Sequence, residues 1–335
     1  MRSVSLLLLF VLVFLQSGIG QSVQTISFYF DNDLLYFPLN EDRDYTFGMG
    51  IAFGGGQGSA NPAGYLLNLA DRATKISNWH KSAYASTFST RWEVKLFTPD
   101  NLRISHTIFR DRPYASVFSV TTSRISSNPV KGILIQSSLE AGLLGLFLAK
   151  NVQGGAHALS RKITGHEYPY KPMGWQNQIS QGGEPTFRYA VSIDKKLLPF
   201  IWKSRNNPET EHFSISSTAS AEAGYLTSVS AGISSKLGWI NTTGSTARKQ
   251  EFFFHGSYQC RLQAYNALLQ GQFRHSEHRI SYSNLNILIR QWEAGITWRK
   301  NRFATGYTLC YRSAEISNTN HPNHYFGQWT MIYQL

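Results

Sequence analysis

Cysteine is nearly absent from this chain: Cys260 and Cys310 are the only two in 335 residues. That excludes a disulfide-dense scaffold and a cysteine-built metal centre, and leaves room for one disulfide in an oxidising compartment. Long apolar runs are also missing once the first fifteen residues are passed. The best later segment, 132–149, is interrupted by Gln136, Ser137, Ser138 and Glu140, so no segment reads as a transmembrane helix. Helix-rich Ala, Glu and Lys content is absent, and no serine sits in a Gly-x-Ser-x-Gly elbow. Acids are scarce, 20 Asp and Glu against 32 Lys and Arg, for a net charge of +12.

What is present begins with Met1-Arg2, an unbroken apolar run from Leu6 to Leu15, and small residues at Gly18 and Gly20. This is the pattern of a secretory signal peptide over residues 1–20. The rest, 21–335, is expected to form one exported domain. Export turns the basic balance away from nucleic acid and toward a phosphorylated lipid or glycolipid as the anionic partner. Aromatic residues make up 14% of the chain, with 17 Tyr and 27 Gly, yet the mean hydropathy is −0.26. A membrane barrel has that signature, because lumen-facing polar residues alternate with lipid-facing apolar ones.

Period-two alternation supports the barrel. Thr25, Ser27 and Tyr29 alternate with Ile26, Phe28 and Phe30. Further strand patterns run at about 45–53, 84–97, 115–124, 131–142, 186–197, 211–222, 225–239, 249–264, 287–299, 302–315 and 323–335. The expected fold is therefore all-β, an antiparallel transmembrane barrel of about twelve strands. In the last strand Tyr325, Trp329, Met331, Tyr333 and Leu335 share one parity, a lipid-facing stripe. Residues 151–163 read as a helix in a loop, with Asn151 as N-cap. The stretch 61–81 reads as an insertion with a short surface helix around Tyr65-Leu66-Leu67-Asn68-Leu69. A periplasmic N-terminus puts the connections after strands one, three and five on the extracellular rim.

The first of those connections is chemically unusual. Asp31, Asp33, Glu41, Asp42 and Asp44 crowd around Asn32 in an otherwise basic chain. Two readings stand side by side: a solvated hairpin whose Asp and Asn side chains bond their own backbone, and a site for a hard cation, which prefers carboxylate and amide oxygens. A pore or adhesion scaffold, a serine-dependent outer-membrane phospholipase and a soluble β-sandwich are the competing classes.

An ordered set of motifs resembles the outer-membrane lipid A 3′-O-deacylases. It comprises Phe30-Asp31-Asn32-Asp33, Asp42-Arg43-Asp44-Tyr45-Thr46-Phe47-Gly48, Thr98-Pro99-Asp100, and Asp111-Arg112-Pro113-Tyr114-Ala115. Gln153 with His157 follows, then Pro172-Met173-Gly174-Trp175-Gln176-Asn177-Gln178, Tyr265-Asn266-Ala267-Leu268-Leu269-Gln270-Gly271 and His324-Tyr325-Phe326-Gly327. The resemblance implies a twelve-stranded enzyme of the Gram-negative outer membrane that uses Ca2+ to remove the 3′-linked acyloxyacyl group of lipid A, the membrane anchor of lipopolysaccharide; a closed barrel without an edge strand is expected to be a monomer. It implies Asp33 and Asn32 as metal ligands, Thr46 and Gly48 at the oxyanion and substrate, and Glu167 beside the histidine. Arg112 is implied on lipid phosphate. His157 is implied as the base that activates water, and a near-neutral imidazole suits that task. His166 is the alternative base; Gln153, four residues before His157, shares its helix face. If strand one ran on unbroken, Asn32 and Asp33 would face opposite ways, so the strand must end or bulge there.

Overall fold

In the computed structural model twelve long strands close into one antiparallel barrel. The structure describes residues 23–36, 44–55, 62–108, 110–164, 172–197, 202–203, 210–241, 250–317, 319 and 323–335. Within them, the side chains of residues 34, 44–46, 156–157, 159–164 and 203 are outside the description. Residues 1–20, where a signal peptide is expected, also lie outside it.

The strands are β1 (Thr25–Asn32), β2 (Asp44–Gly54), β3 (Ala85–Thr98), β4 (Ala115–Asn128), β5 (Ile133–Leu144) and β6 (Glu184–Lys196). They continue as β7 (Thr210–Gly224), β8 (Leu226–Asn241), β9 (Gln250–Asn266), β10 (Leu288–Lys300), β11 (Phe303–Ser313) and β12 (Asn323–Gln334). Each pairs with its sequence neighbours, β6 meets β7, and β1 closes on β12. A two-residue piece, Trp202–Lys203, adds to β7. All of the expected strands are there, with ends displaced by a few residues. Apart from the β2–β3 insertion, the longest connections, after β3, β5 and β9, lie at the end opposite the termini, which marks that end as extracellular.

Alternation divides each strand into two chemistries. On one parity Glu93 binds Lys95 at 3.0 Å, and Arg188 binds Glu140 at 2.6 Å and Glu222 at 2.7 Å, all inside the lumen. On the other parity Ile233, Leu237, Trp239, Phe254, Trp292, Ile296 and Trp298 are exposed on the outer wall. The C-terminal stripe behaves as expected, with Trp329, Tyr333 and Leu335 exposed. Low average hydropathy thus reflects a polar interior inside an apolar shell.

The lumen is not open at its extracellular end. Ile179, Tyr225, Ala267 and Leu268 fold in from the loops and pack on Phe97, Val117, Cys310 and Phe326. Beneath this cap lies a cavity of about 700 Å3 lined by charged residues that include Asp31, Arg91, Glu93, Glu293 and Arg312. Cys310 is buried, Cys260 is half-buried on the outer-wall parity, and neither is in a disulfide.

Two local expectations are corrected. The loop helix, α3 (Ala149–Thr164), begins before Asn151. The Asn151 N–H already donates to the Leu148 carbonyl at 3.0 Å, and an N-cap residue would precede such bonding. The insertion holds two helices, α1 (Pro62–Ala73) and α2 (Ile76–Lys81), rather than one short one. Both connect strands at the periplasmic end.

Candidate active site

The strand breaks between Asn32 and Asp33, as expected if both side chains are to reach one ion. β1 ends at Asn32, and Asp33–Leu35 turns as a 3-10 helix. Asp31 is on the lumenal parity and lines the central cavity. Asn32 has the opposite parity; it pairs with Phe47 on β2 and Gly327 on β12, so it belongs to the outer wall. The 3-10 turn then folds down over the same wall. A Cβ on Gly327 would stand 2.6 Å from the Leu35 Cβ, and the Tyr307 hydroxyl donates to the Leu35 carbonyl. Only glycine at 327 lets the turn carrying Asp33 lie this close. Asn32 and Asp33 are both buried, at 8% and 2% exposure.

On the neighbouring strand the pairing of β2 with β3 slips between Tyr45 and Phe47. Thr46 is the extra residue of this bulge, a device that re-aims side chains at sheet rims. Gly48 lies two residues on, opposite Asp31 and on the lumenal parity. Phe47, between Thr46 and Gly48, is buried edge-on to Phe30 at 5.5 Å. It belongs to an outer-wall cluster with Val94, Leu96, Tyr114, Ala149 and Trp175, against which Val152 packs.

That cluster is what docks α3 beside Asn32. Gln153, buried to 1% exposure, accepts a bond from Trp175 Nε1 at 2.7 Å. Trp175 in turn packs on Tyr114 with ring centroids 4.9 Å apart. A Cβ at Gly174 would lie 2.3 Å from the Tyr114 ring, which explains the glycine before Trp175. Gln178 ties the segment to β4 by accepting from Ser116 Oγ at 2.9 Å. Position 157 follows Gln153 by one helical turn on the same face of α3. The His157 side chain, and the whole of His166 and Glu167, fall outside the described residues.

Arg112, expected on lipid phosphate, is engaged within the protein. Its guanidinium binds Glu315 at 2.6 Å and lies 4.2 Å over the lumenal ring of Phe97. It is buried to 4% exposure and faces the top of the lumen rather than the outer wall. Asp111, meanwhile, accepts the backbone N–H groups of Asp100 at 2.9 Å and Arg112 at 2.7 Å. Both residues hold the rim. Glu315 also meets Arg261 at 3.3 Å and Asn266 at 3.4 Å. Burial alone would raise its carboxyl, but Arg112, Arg312 and Arg261 hold it down at about 2. Sequence reading misses Glu315 because its partners stand far away along the chain.

A second feature escapes sequence reading. Tyr36 stacks on Tyr325 at 4.8 Å, Tyr325 meets Tyr311 at 5.2 Å, and Tyr311 stacks on Trp292 at 5.3 Å. This shelf of rings starts beside the Asp33 turn and crosses β12, β11 and β10 on the outer wall. The parity of Tyr325 in the C-terminal stripe was the available signal.

Among the described residues no three His, Cys, Asp or Glu side chains gather into a metal cluster. Asn32 and Asp33 nevertheless supply one amide and one carboxylate oxygen at the strand end, a donor set of the hard-cation type. Calcium takes six to eight oxygens, so backbone, water and substrate would complete its shell.

Within α3, Gly154 and Gly155 have open space where a Cβ would stand. Glycine costs a helix interior roughly 0.8–1.0 kcal/mol relative to alanine. Gly155→Ala is therefore expected to stabilise α3 by about 1 kcal/mol, read as slower hydrogen exchange across 149–164. Unchanged exchange there would mean that α3 does not open on its own.

The family described as outer membrane protein LpxR has a model that matches residues 4–335. Among solved structures, LpxR from Salmonella typhimurium superposes with a TM-score of 0.70 at 14% identity, covering 93% of this chain and 100% of that one. The beta domain of the Bordetella autotransporter BrkA gives 0.43 at 8% identity, over 93% and 99% of the two chains. No curated protein matches the chain.

Proposed function

Because the chain belongs to the outer membrane LpxR family, we propose that it is a calcium-dependent lipid A deacylase of the outer leaflet, hydrolysing the ester that carries the 3′-linked acyloxyacyl group. The single observation that carries this reading, beyond membership, is the side of the wall on which Asn32 stands. It shares the lipid-facing parity with Phe28 and Phe30 at the extracellular end of β1. A lipid anchored in the outer leaflet reaches that surface without leaving the membrane, whereas the capped lumen offers it no entry.

In this reading Asp33 and Asn32 would hold the calcium, which supplies an electrophile for the charge that develops on the ester carbonyl oxygen. His157 takes a proton from water as the water oxygen attacks the carbonyl carbon, and returns a proton to the departing sugar oxygen. Free acid and the 3′-hydroxyl are the products. Thr46, placed at the bulge, directs the scissile ester, and Glu167 orients the imidazole. Gln153 and Trp175 fix the helix that presents position 157, and the ring shelf from Tyr36 to Trp292 gives the acyl chains and sugars a surface at the interface. Arg112 is left as rim scaffold, committed to Glu315. The enzyme acts as a monomer, since a closed barrel leaves no edge strand in need of a partner.

The test is mass spectrometry of lipid A incubated with the folded protein, with calcium or with a chelator. Loss of the mass of one 3′-linked acyloxyacyl unit only in the calcium sample is the expected result. Unmodified lipid A in both samples would sink the reading, as would equal activity in chelator. Covalent labelling of the active enzyme by a serine-directed inhibitor would instead support a serine phospholipase.

A further inference from the structure

The helical pair α1–α2 buries Leu67 but also a carboxylate and an imidazole, and leaves four large apolar side chains outside. Its buried residues include Asp71, at 0% exposure, and His80, at 2%, while Tyr65, Leu66, Leu69 and Trp79 are exposed at 48–63%. A helix pair on a water-facing surface shows the opposite arrangement, with its apolar stripe inward.

The wall beneath explains the polar face. Ser119 and Glu140 face the lumen, so Arg124 and Ser126 on β4, Ser137 on β5 and Tyr189 on β6 have the outward parity. Elsewhere around the barrel that parity carries Val229, Leu237, Phe254 and Ile296, exposed to lipid. Beyond Ser86 of β3, which meets Arg124 at 2.9 Å and Ser126 at 3.0 Å, the serine hydroxyls and the arginine would lack partners if they faced acyl chains. The helical pair provides them. His80 Nδ1 meets Ser126 Oγ at 2.7 Å and its Nε2 meets Ser137 Oγ at 3.0 Å. Asp71 accepts from Ser137 at 2.9 Å and from the Tyr189 hydroxyl at 2.8 Å. Arg124 reaches Asn68 at 3.5 Å.

The height of these contacts identifies what lies on the other face. Ser137 stands four residues inside the periplasmic end of β5 and Tyr189 seven residues inside that of β6. At about 3.3 Å per residue these are depths of roughly 13 and 23 Å along tilted strands, against an apolar band about 25 Å tall. Arg72, Lys75 and Lys81 are exposed around the pair, where their long stems can carry the charges to phosphate level.

We propose that α1–α2 is embedded in the inner leaflet of the outer membrane, with its polar face sealing a hydrophilic strip of the outer wall and Tyr65, Leu66, Leu69 and Trp79 facing phospholipid acyl chains. The inference depends on the barrel's place in the membrane and not on the proposed deacylation.

The test uses the full chain in vesicles of phosphatidylethanolamine and phosphatidylglycerol, opened so that both sides meet reagent, with Cys260→Ala as background. Leu66→Cys and Leu69→Cys are compared with Val130→Cys, which sits in an exposed periplasmic turn at 72% exposure. A charged, membrane-impermeant maleimide is expected to label Val130→Cys at least tenfold faster than either helix position. A lipid-soluble maleimide should label the helix positions readily. Phospholipids brominated along their acyl chains are expected to quench an emission component that Trp79→Phe lacks. Equal rates with the charged reagent at all three positions would overturn the proposal. So would protection that grows with the protein-to-lipid ratio, which would assign the face to a second copy of the chain.

Discussion

Asp33→Ala is expected to lower deacylation by about 10²- to 10³-fold, the cost of losing one group that stabilises a developing oxyanion, while Asp31→Asn leaves the rate within about threefold of the parent. The two aspartates are two residues apart and separated by the barrel wall. Asp31 lines the lumenal cavity, whereas Asn32 has the outer parity and Asp33 opens the turn laid over Gly327. If the reaction is run at the outer wall through a cation held by Asp33 and Asn32, only the outer aspartate can matter at that scale. Rates measured at saturating calcium and again at low calcium separate weakened metal binding from lost chemistry: a ligand loss is partly rescued by excess calcium. Equal losses for Asp31→Asn and Asp33→Ala would place the reaction in the lumen and end the outer-wall account.

The second large effect is on stability. Glu315 accepts from Arg112 at 2.6 Å and meets Arg261 at 3.3 Å, with the Arg112 side chain only 4% exposed. Replacing it by glutamine leaves those cations without their anion, and breaking a buried pair from one side costs about 3–5 kcal/mol. The pH dependence has a definite sign. The folded carboxyl is held at about 2, below its ordinary value of 4.5. This contribution is therefore complete above pH 4.5 and is lost as pH falls toward 2. Denaturant unfolding in detergent is expected to show the parent weakening across that window while Glu315→Gln, already weak at neutral pH, changes less. A variant as resistant as the parent at pH 7 would show that the arginines find other partners.

Much of this was legible in the sequence, for identifiable reasons. The twelve strands could be counted because alternation at period two is a local property, visible in runs such as 323–335 without knowing the neighbours. The break between Asn32 and Asp33 was expected because alternation puts neighbours on opposite faces while the resemblance asks both to reach one ion. The ion pair of Arg112 was not legible because its partner lies 203 residues away, and no local pattern separates a phosphate-binding arginine from one neutralised inside a rim. Asn151 looked like a cap because residue type suggests capping, while the backbone bonding that starts α3 earlier is set by Leu146 and Leu148. The insertion was hardest. Tyr65, Leu66 and Leu69 beside Asp71 and His80 contradict the usual inward stripe unless the far side is known to be a polar strip of barrel wall.

The seam between the first and last strands sets the moment at which the proposed site can exist. Asn32 on β1 faces Gly327 on β12, and the Asp33 turn rests on Gly327 and bonds Tyr307 of β11. Residues from both ends of the chain thus meet only when the cylinder shuts. A polypeptide still in transit, or half inserted, has the sequence of the site but not the site. On the proposed reading, hydrolytic competence would begin at the last stitch of assembly, after the protein has reached the leaflet that holds the proposed substrate.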